Sequence, residues 1–308
     1  LRSVSGEMVE CILGHCTAAG MVCRETICVF HAAYKFARIH RGAFVRLWPS
    51  VRAELEAFLG LMPLLVSDWD RSWDPVVCAY DSSTYAFGVT ASRWNTEAVA
   101  AVGRVPERGR FRLVGQLSAR RAALHGAGQT WAAMLLEDDT VDRGAAGEAE
   151  DYRLSASCAI VAGFPEVPAA EVFGAEWQTV ISARWNHAEA IHLLEARAGI
   201  AALERLARTR YGDARRRLFL GDNMSVTLAF ERCRAKNFDL LKLVRKKCAL
   251  VLSRNLAVAW RWIASEMNPA DAPSRLAPLQ PLTQAVGDVG PMSPNRLRRL
   301  LPAEPPPT

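Results

Sequence analysis

The chain has no uninterrupted apolar run near the roughly 20 residues that a membrane-crossing helix needs. Its first ten residues carry neither a basic start nor a secretory apolar block. Membrane and secreted readings are set aside, and an intracellular location, nucleus or cytoplasm, is expected. It also lacks the compact cysteine framework of a small disulfide-stapled domain. Its eight cysteines, Cys11, Cys16, Cys23, Cys28, Cys78, Cys158, Cys233 and Cys248, are scattered, as suits a reducing compartment. The first four, with His15 and His31, have the chemistry of zinc ligands, but they fall in apolar helical sequence, where buried thiols are the expectation. No internal repeat is present, which sets aside solenoids and propellers. Strong charge of either sign is missing too: Lys and Arg number 38 against 32 Asp and Glu, a formal +6. That mild excess favours polyanionic partners without naming one.

What is present is a chain that is half apolar and, at 308 residues, long enough for one large domain or two modest ones. Apolar residues recur at three- and four-residue spacing over 8–22, 28–39 and 51–65, which predicts a helical region across residues 1–72. Pro49 and Ser50 suit the start of its third helix. Short strands are predicted over 76–80, 85–90, 177–183, 217–220 and 256–263, and helices over 188–208 and 238–252. Asn186 and Glu189 read as a capping box for the first of these helices. Between the second and third strands, residues 98–176 lose periodicity and include an acidic, Gly/Ala-rich stretch at 137–151, the mark of an insertion. Residues 211–213 read as a turn, and a Pro-rich tail, 277–308, is expected to be flexible. The fold class is α/β, over 73–276. Because the chain begins at Leu1 rather than Met, it reads as a fragment of a longer product.

The element order places carboxylates at four points: Asp81 ends the first strand, Glu195 lies within the long helix, Asp222 ends the fourth strand and Asp271 follows the last. Taken singly each has an ordinary explanation: a turn residue, an N-cap, a surface charge. Glu195 is the sharpest, since Leu193, Leu194, Ala196 and Ala198 surround it. Carboxylates converging at strand ends repel one another unless cations neutralise them, and hard oxygen ligands suit Mg2+ or Mn2+.

These residues resemble the ribonuclease H domain of reverse transcriptases. The resemblance lies in AYDSSTYAFGV (79–89), IHLLEARAG (191–199), FLGDNMSV (219–226) and WIASEMNPADAPSR (262–275). The last string is similar to the terminal motif of tyrosine-recombinase retrotransposons and hepadnavirus-like polymerases. The segments at 12–20 and 47–65 are more loosely similar to the thumb and connection region that precedes this domain.

The resemblance implies a ribonuclease H-like three-layer fold with a mixed five-stranded sheet. Asp81, Glu195, Asp222 and Asp271 would be catalytic metal ligands for Mg2+, with Mn2+ as the other candidate. The implied reaction is endonucleolytic hydrolysis of the RNA strand of an RNA–DNA hybrid. The implied partners are that hybrid and the upstream polymerase region of the same element, whose acidic palm motif is not in this chain. Phosphate contacts are expected from Arg232, Arg234, Lys236, Lys242, Arg245, Lys246 and Lys247, a cluster that reads equally as a solvated helix face. Tyr85 and Asn223 are candidates to touch sugar hydroxyls or orient a carboxylate. A histidine that many ribonucleases H place ahead of the last acid is replaced here by the neighbourhood of Ser265 and Glu266. Two other readings stand beside this one: a catalytically decayed nucleic-acid-binding or assembly module of the same fold, and a recombinase or exonuclease built on the same acids.

Overall fold

The computed structural model describes residues 3–113, 158–161, 163–208, 215–277 and 279. The acidic stretch at 137–151, the turn at 211–213 and the Pro-rich tail beyond 279 lie outside the described residues. The chain forms two compact units that separate between Asp68 and Trp69.

In the first unit, Ser5 caps helix α1 (Gly6–Gly20) by accepting from the Met8 amide at 3.3 Å. Helix α2 (Ala32–Ile39) has no capping side chain at its own N-cap. Glu54 of helix α3 (Pro49–Leu61) supplies one: its carboxylate accepts from the amides of His31, Ala32 and Ala33 at 3.0, 2.8 and 2.9 Å. A negative group there satisfies orphan donors and meets the positive end of the helix dipole. The single helix expected over 28–39 is therefore broken, with a short 3-10 segment, Arg24–Val29, ending before α2 starts. Val9, Leu13, Phe30, Phe36, Val51 and Phe58 make the core. Of the four cysteines here only Cys28 is buried. Cys11 is exposed, against expectation, because it sits two residues from both Val9 and Leu13 and so faces away from the core.

The second unit is α/β. Strands β1 (Trp73–Ser82), β2 (Ala86–Arg93), β3 (Gln178–Arg184), β4 (Arg216–Gly221) and β5 (Ala257–Trp262) form one mixed open sheet in the order β3-β2-β1-β4-β5. β2 runs antiparallel to β1 and to β3, while β1, β4 and β5 are parallel. Side chains alternate across the pleat. Val77 and Ala79 join Leu218, Leu220, Trp94 and the buried residues of helix α4 (Thr96–Gly103) on one face. On the other, Tyr80, Phe219 and Phe230 surround Trp260, with ring centroids 5.7, 4.6 and 4.6 Å from it. Helix α5 (Ile191–Ala207) packs on β1 and β2 and against helix α7 (Phe238–Ser253), while helix α6 (Met224–Arg232) packs on β5.

Both flanks of the expected insertion belong to this unit. Val99, Val102, Val167, Val172 and Trp177 share one core, and the Val161 amide donates to the Arg110 carbonyl at 2.8 Å, where the chain returns. Periodicity missed α4 because it is only eight residues long and five of them are Ala or Val. No described helix is long and apolar enough to cross a membrane.

At the end of β4 the chain must pass under Tyr80. A Cβ on Gly221 would lie 2.5 Å from both the ring Cζ and the hydroxyl of Tyr80, itself fully buried. Gly221→Ala is therefore expected to cost about 1–3 kcal/mol as overpacking, read as a lower urea midpoint with the m-value unchanged.

Candidate metal centre

The parallel pairing of β1 with β4 sets Tyr80 opposite Gly221. The residue after each is an aspartate, so Asp81 and Asp222 emerge side by side at the C-terminal ends of these two interior strands. Asn223, not Asp222, caps α6, its side chain accepting from the Val226 amide at 3.2 Å, which leaves the Asp222 carboxylate uncommitted to the helix. Glu195 comes from α5, whose buried stripe includes Leu194, Ala198, Gly199 and Ala202. These small residues let the helix lie close to the sheet and carry Glu195 to the same strand ends. Asp81, Glu195 and Asp222 each offer an oxygen within 4.8 Å of the others.

Burial and mutual repulsion act together on these groups. Asp81 and Glu195 are each only 5% exposed. Burial first, then Asp81 and Asp222, push Glu195 well above the usual carboxylate range. Burial, then the charge of Asp81, raises Asp222 to about 7, against hydrogen bonds from Ser265 and Asn268. Burial also raises Asp81, with Asp271 adding to the shift and Ser274 opposing it. Glu195 Oε2 is enclosed and has no hydrogen-bond partner. Among the described residues no lysine or arginine pairs with any of the three. Three clustered carboxylates, one with an enclosed unpartnered oxygen, are a donor set that fits a hard divalent cation such as Mg2+ or Mn2+.

The fourth expected acid is placed differently. Asp271 starts the four-residue helix Asp271–Ser274, and Arg275 holds its carboxylate with Nε at 3.1 and 3.2 Å and Nη2 at 2.9 Å. That helix lies directly on the sheet, since a Cβ on Gly88, the partner of Asp81, would meet the Ser274 amide nitrogen at 2.6 Å. Glu189 forms no capping box: α5 starts at Ile191 with no side-chain cap, and Arg197 takes Glu189 in two hydrogen bonds of 2.6 and 2.8 Å.

The expected nucleic-acid contacts spread over several surroundings. Tyr85 is 51% exposed in the β1–β2 turn, its hydroxyl donating to the Arg275 carbonyl at 3.3 Å. Asn223 is spent as the α6 cap. Arg232, Arg234 and Arg245 are half-buried, and Lys236 is exposed. Lys246 is exposed and pairs with Glu204 at 2.8 Å, and Lys242 pairs with Asp239 at 2.6 Å. Lys247 corrects the basic cluster: it is buried, donating to the Phe230 carbonyl at 3.1 Å and the Cys233 sulfur at 3.6 Å.

Sequence reading assigned no role to Ser265, Asn268, Ser274 or Trp262, which contact the acids or their backbone. Their signal was polar side chains within the quoted terminal string. Asn268, 3% exposed, also donates to the Tyr80 carbonyl at 3.1 Å, so it fixes the last residue before Asp81.

The raised Asp222 makes stability pH-dependent. Between its ordinary value near 4 and about 7, the folded state holds a proton that the unfolded chain has lost, so stability falls as pH rises through that window. In chelator, the melting temperature is expected to drop between pH 4 and pH 7, by a loss on the order of 2–4 kcal/mol. Asp222→Asn should flatten that drop, and millimolar Mg2+ or Mn2+ at pH 8 should reverse it in the parent alone. Comparison with known families, with curated proteins and with solved structures finds no match to this chain.

Proposed function

We propose that this chain is the ribonuclease H-like part of a retroelement reverse transcriptase and cleaves the RNA strand of an RNA–DNA hybrid, leaving a 5′-phosphate and a 3′-hydroxyl. One observation carries the reading: Asp81, Glu195 and Asp222, far apart in the chain, meet as two buried carboxylates and one half-buried one where two adjacent parallel strands end under a helix. The open end of parallel strands is where α/β sheets place their ligands. The strand order supports the same reading, with β1 central, β2 and β3 antiparallel neighbours on one side and β4 and β5 parallel to β1 on the other.

Asp81, Glu195 and Asp222 would hold the divalent ions, with Asp271 at the rim as the further ligand. When bound, such ions activate water and neutralise charge on the departing oxygen. Ser265 and Asn268 orient the Asp222 carboxylate, and Ser274 does so for Asp81. Tyr85, Lys236 and Lys246, which are exposed, and Arg232, Arg234 and Arg245, which are half-buried, are the residues assigned to backbone and sugar contacts on this reading. The upstream polymerase region of the same element is the proposed partner, in an intracellular setting.

A second reading, a non-catalytic hybrid-binding module of the same fold, is favoured by one feature: Asp271 is engaged by Arg275 rather than by the other acids. A labelled hybrid separates the two. With Mg2+, the parent should release shortened RNA and leave the DNA strand intact. Asp222→Asn should lose at least about 100-fold in rate, since loss of a direct ligand exceeds that of an outer partner. Hybrid binding without cleavage, equal in parent and variant, would establish the binding module instead.

A further inference from the structure

β5 is an edge strand, and an edge leaves backbone amides unpaired. Here two of them are closed by buried carboxylates: the Trp260 amide donates to Glu231 at 3.0 Å and the Trp262 amide to Glu107 at 3.2 Å. Glu107 is fully buried and sits between two arginines, Arg110 and Arg261, which are 0% and 1% exposed. Arg261 Nε donates to Glu107 at 2.8 Å, and its Nη atoms donate to the carbonyls of Val102 at 2.8 Å and Pro165 at 2.5 Å. Arg110 pairs with Glu107 and, through both Nη atoms, with Glu166 at 2.5 and 2.7 Å. Its guanidinium lies 4.6 Å from the Phe164 ring centroid and 5.1 Å from that of Trp262.

Trp262 is thus clamped on one side by a buried charge cluster. On the other its indole Nε1 donates to the Asp222 carbonyl at 2.8 Å, beside the Ile263 amide's bond to the Gly221 carbonyl at 3.0 Å. An ordinary sheet end has no need of an indole on the peptide of an acid. Free rotation of that peptide would move the Asp222 carboxylate relative to Asp81 and Glu195, and outer partners set metal affinity by holding ligands in place.

We propose that Trp262 is a positioning residue for Asp222, and that the Glu107–Arg110–Arg261 cluster transmits the placement of the segments flanking the insertion, 104–110 and 164–166, to the metal centre. The inference rests on the reading of Asp81, Glu195 and Asp222 as metal ligands. Both arginines are buried and are placed to hold the wall behind Trp262.

The test is Mn2+ binding by calorimetry on the full chain, free of substrate, with Trp262→Phe, Trp262→His and Asp222→Asn beside the parent. Trp262→Phe keeps an aromatic ring over Arg110 and removes the donor, and should weaken Mn2+ about three- to tenfold, below the larger outer-partner effects because the bond is to backbone. Trp262→His, which keeps a ring N–H, should recover part of that loss. In hydrolysis, Trp262→Phe should raise the Mg2+ concentration at half-maximal rate while leaving the rate at saturating Mg2+ within about twofold of the parent. A metal affinity for Trp262→Phe equal to the parent's, with Asp222→Asn weakened, overturns the positioning role and leaves the metal centre standing. Unchanged binding in Asp222→Asn overturns the reading of the acids themselves. Should Trp262→Phe fail to fold, Arg110→Lys, which loosens the clamp while keeping the charge, carries the same affinity comparison, and parental affinity there overturns the transmission.

Discussion

Three carboxylates confined to one end of the sheet repel one another, and the surrounding structure is arranged around that cost. Asp81 and Asp222 are forced together by the register of parallel β1 and β4, in which Tyr80 faces Gly221. Glu195 is driven in by a helix whose buried stripe is largely Ala and Gly. No arginine or lysine among the described residues answers them with an ion pair, although the unit holds fully buried arginines elsewhere. The chain can bury guanidinium groups and pair them well, as Glu107, Arg110 and Arg261 show. Leaving the acid cluster without such a partner is a separate arrangement, in which burial and repulsion favour protonation and which, on the proposed reading, a divalent cation would relieve.

Much of this was legible from the residues. Asp81 and Asp222 stood out because each follows a short apolar run, and Glu195 because its flanks are Leu and Ala. The five strands are short β-rich segments bounded by turn residues, which period-2 patterning detects. The register between β1 and β4 was not legible, since parallel pairing leaves no local signature, and only that register places the two aspartates side by side. Glu54 capping α2 and Glu107 bracing Arg261 were invisible for the same reason: the second pair is 154 residues apart in the chain. Conversely, the break before α2 was hidden because the apolar spacing runs unbroken across a point where a distant carboxylate captures the amides.

Charge composition was the least faithful guide. The formal excess of basic residues includes Arg110, Arg217, Lys247 and Arg261, all of which are buried. Arg217 is paired with Asp74 at 2.7 Å under the sheet. Lys247 could have been separated from its neighbours: it shares a helical stripe with Leu240, Val244 and Val251, positions four and seven residues apart that α7 buries. A run of Arg and Lys in sequence is therefore two populations, and only the members off the apolar stripe, such as Lys242 and Lys246, contribute to the outer field.

The placement of Asp271 follows from the same repulsion. Adding a fourth carboxylate to these three would raise the electrostatic cost further, and its charge already lifts Asp81. Arg275, one helical turn on, offers a counter-charge at the solvent-facing rim, so Asp271 pairs there with its side chain 43% exposed. Exposed pairs of this kind contribute only about 0.2–1 kcal/mol. The backbone of the Asp271–Ser274 helix is pinned on the sheet at Gly88, beside Asp81, which keeps the Asp271 charge near the cluster while its carboxylate pairs with Arg275. On the proposed reading, a cation in the centre would reverse that balance of charge, and the carboxylate that repulsion keeps at the rim would be attracted inward.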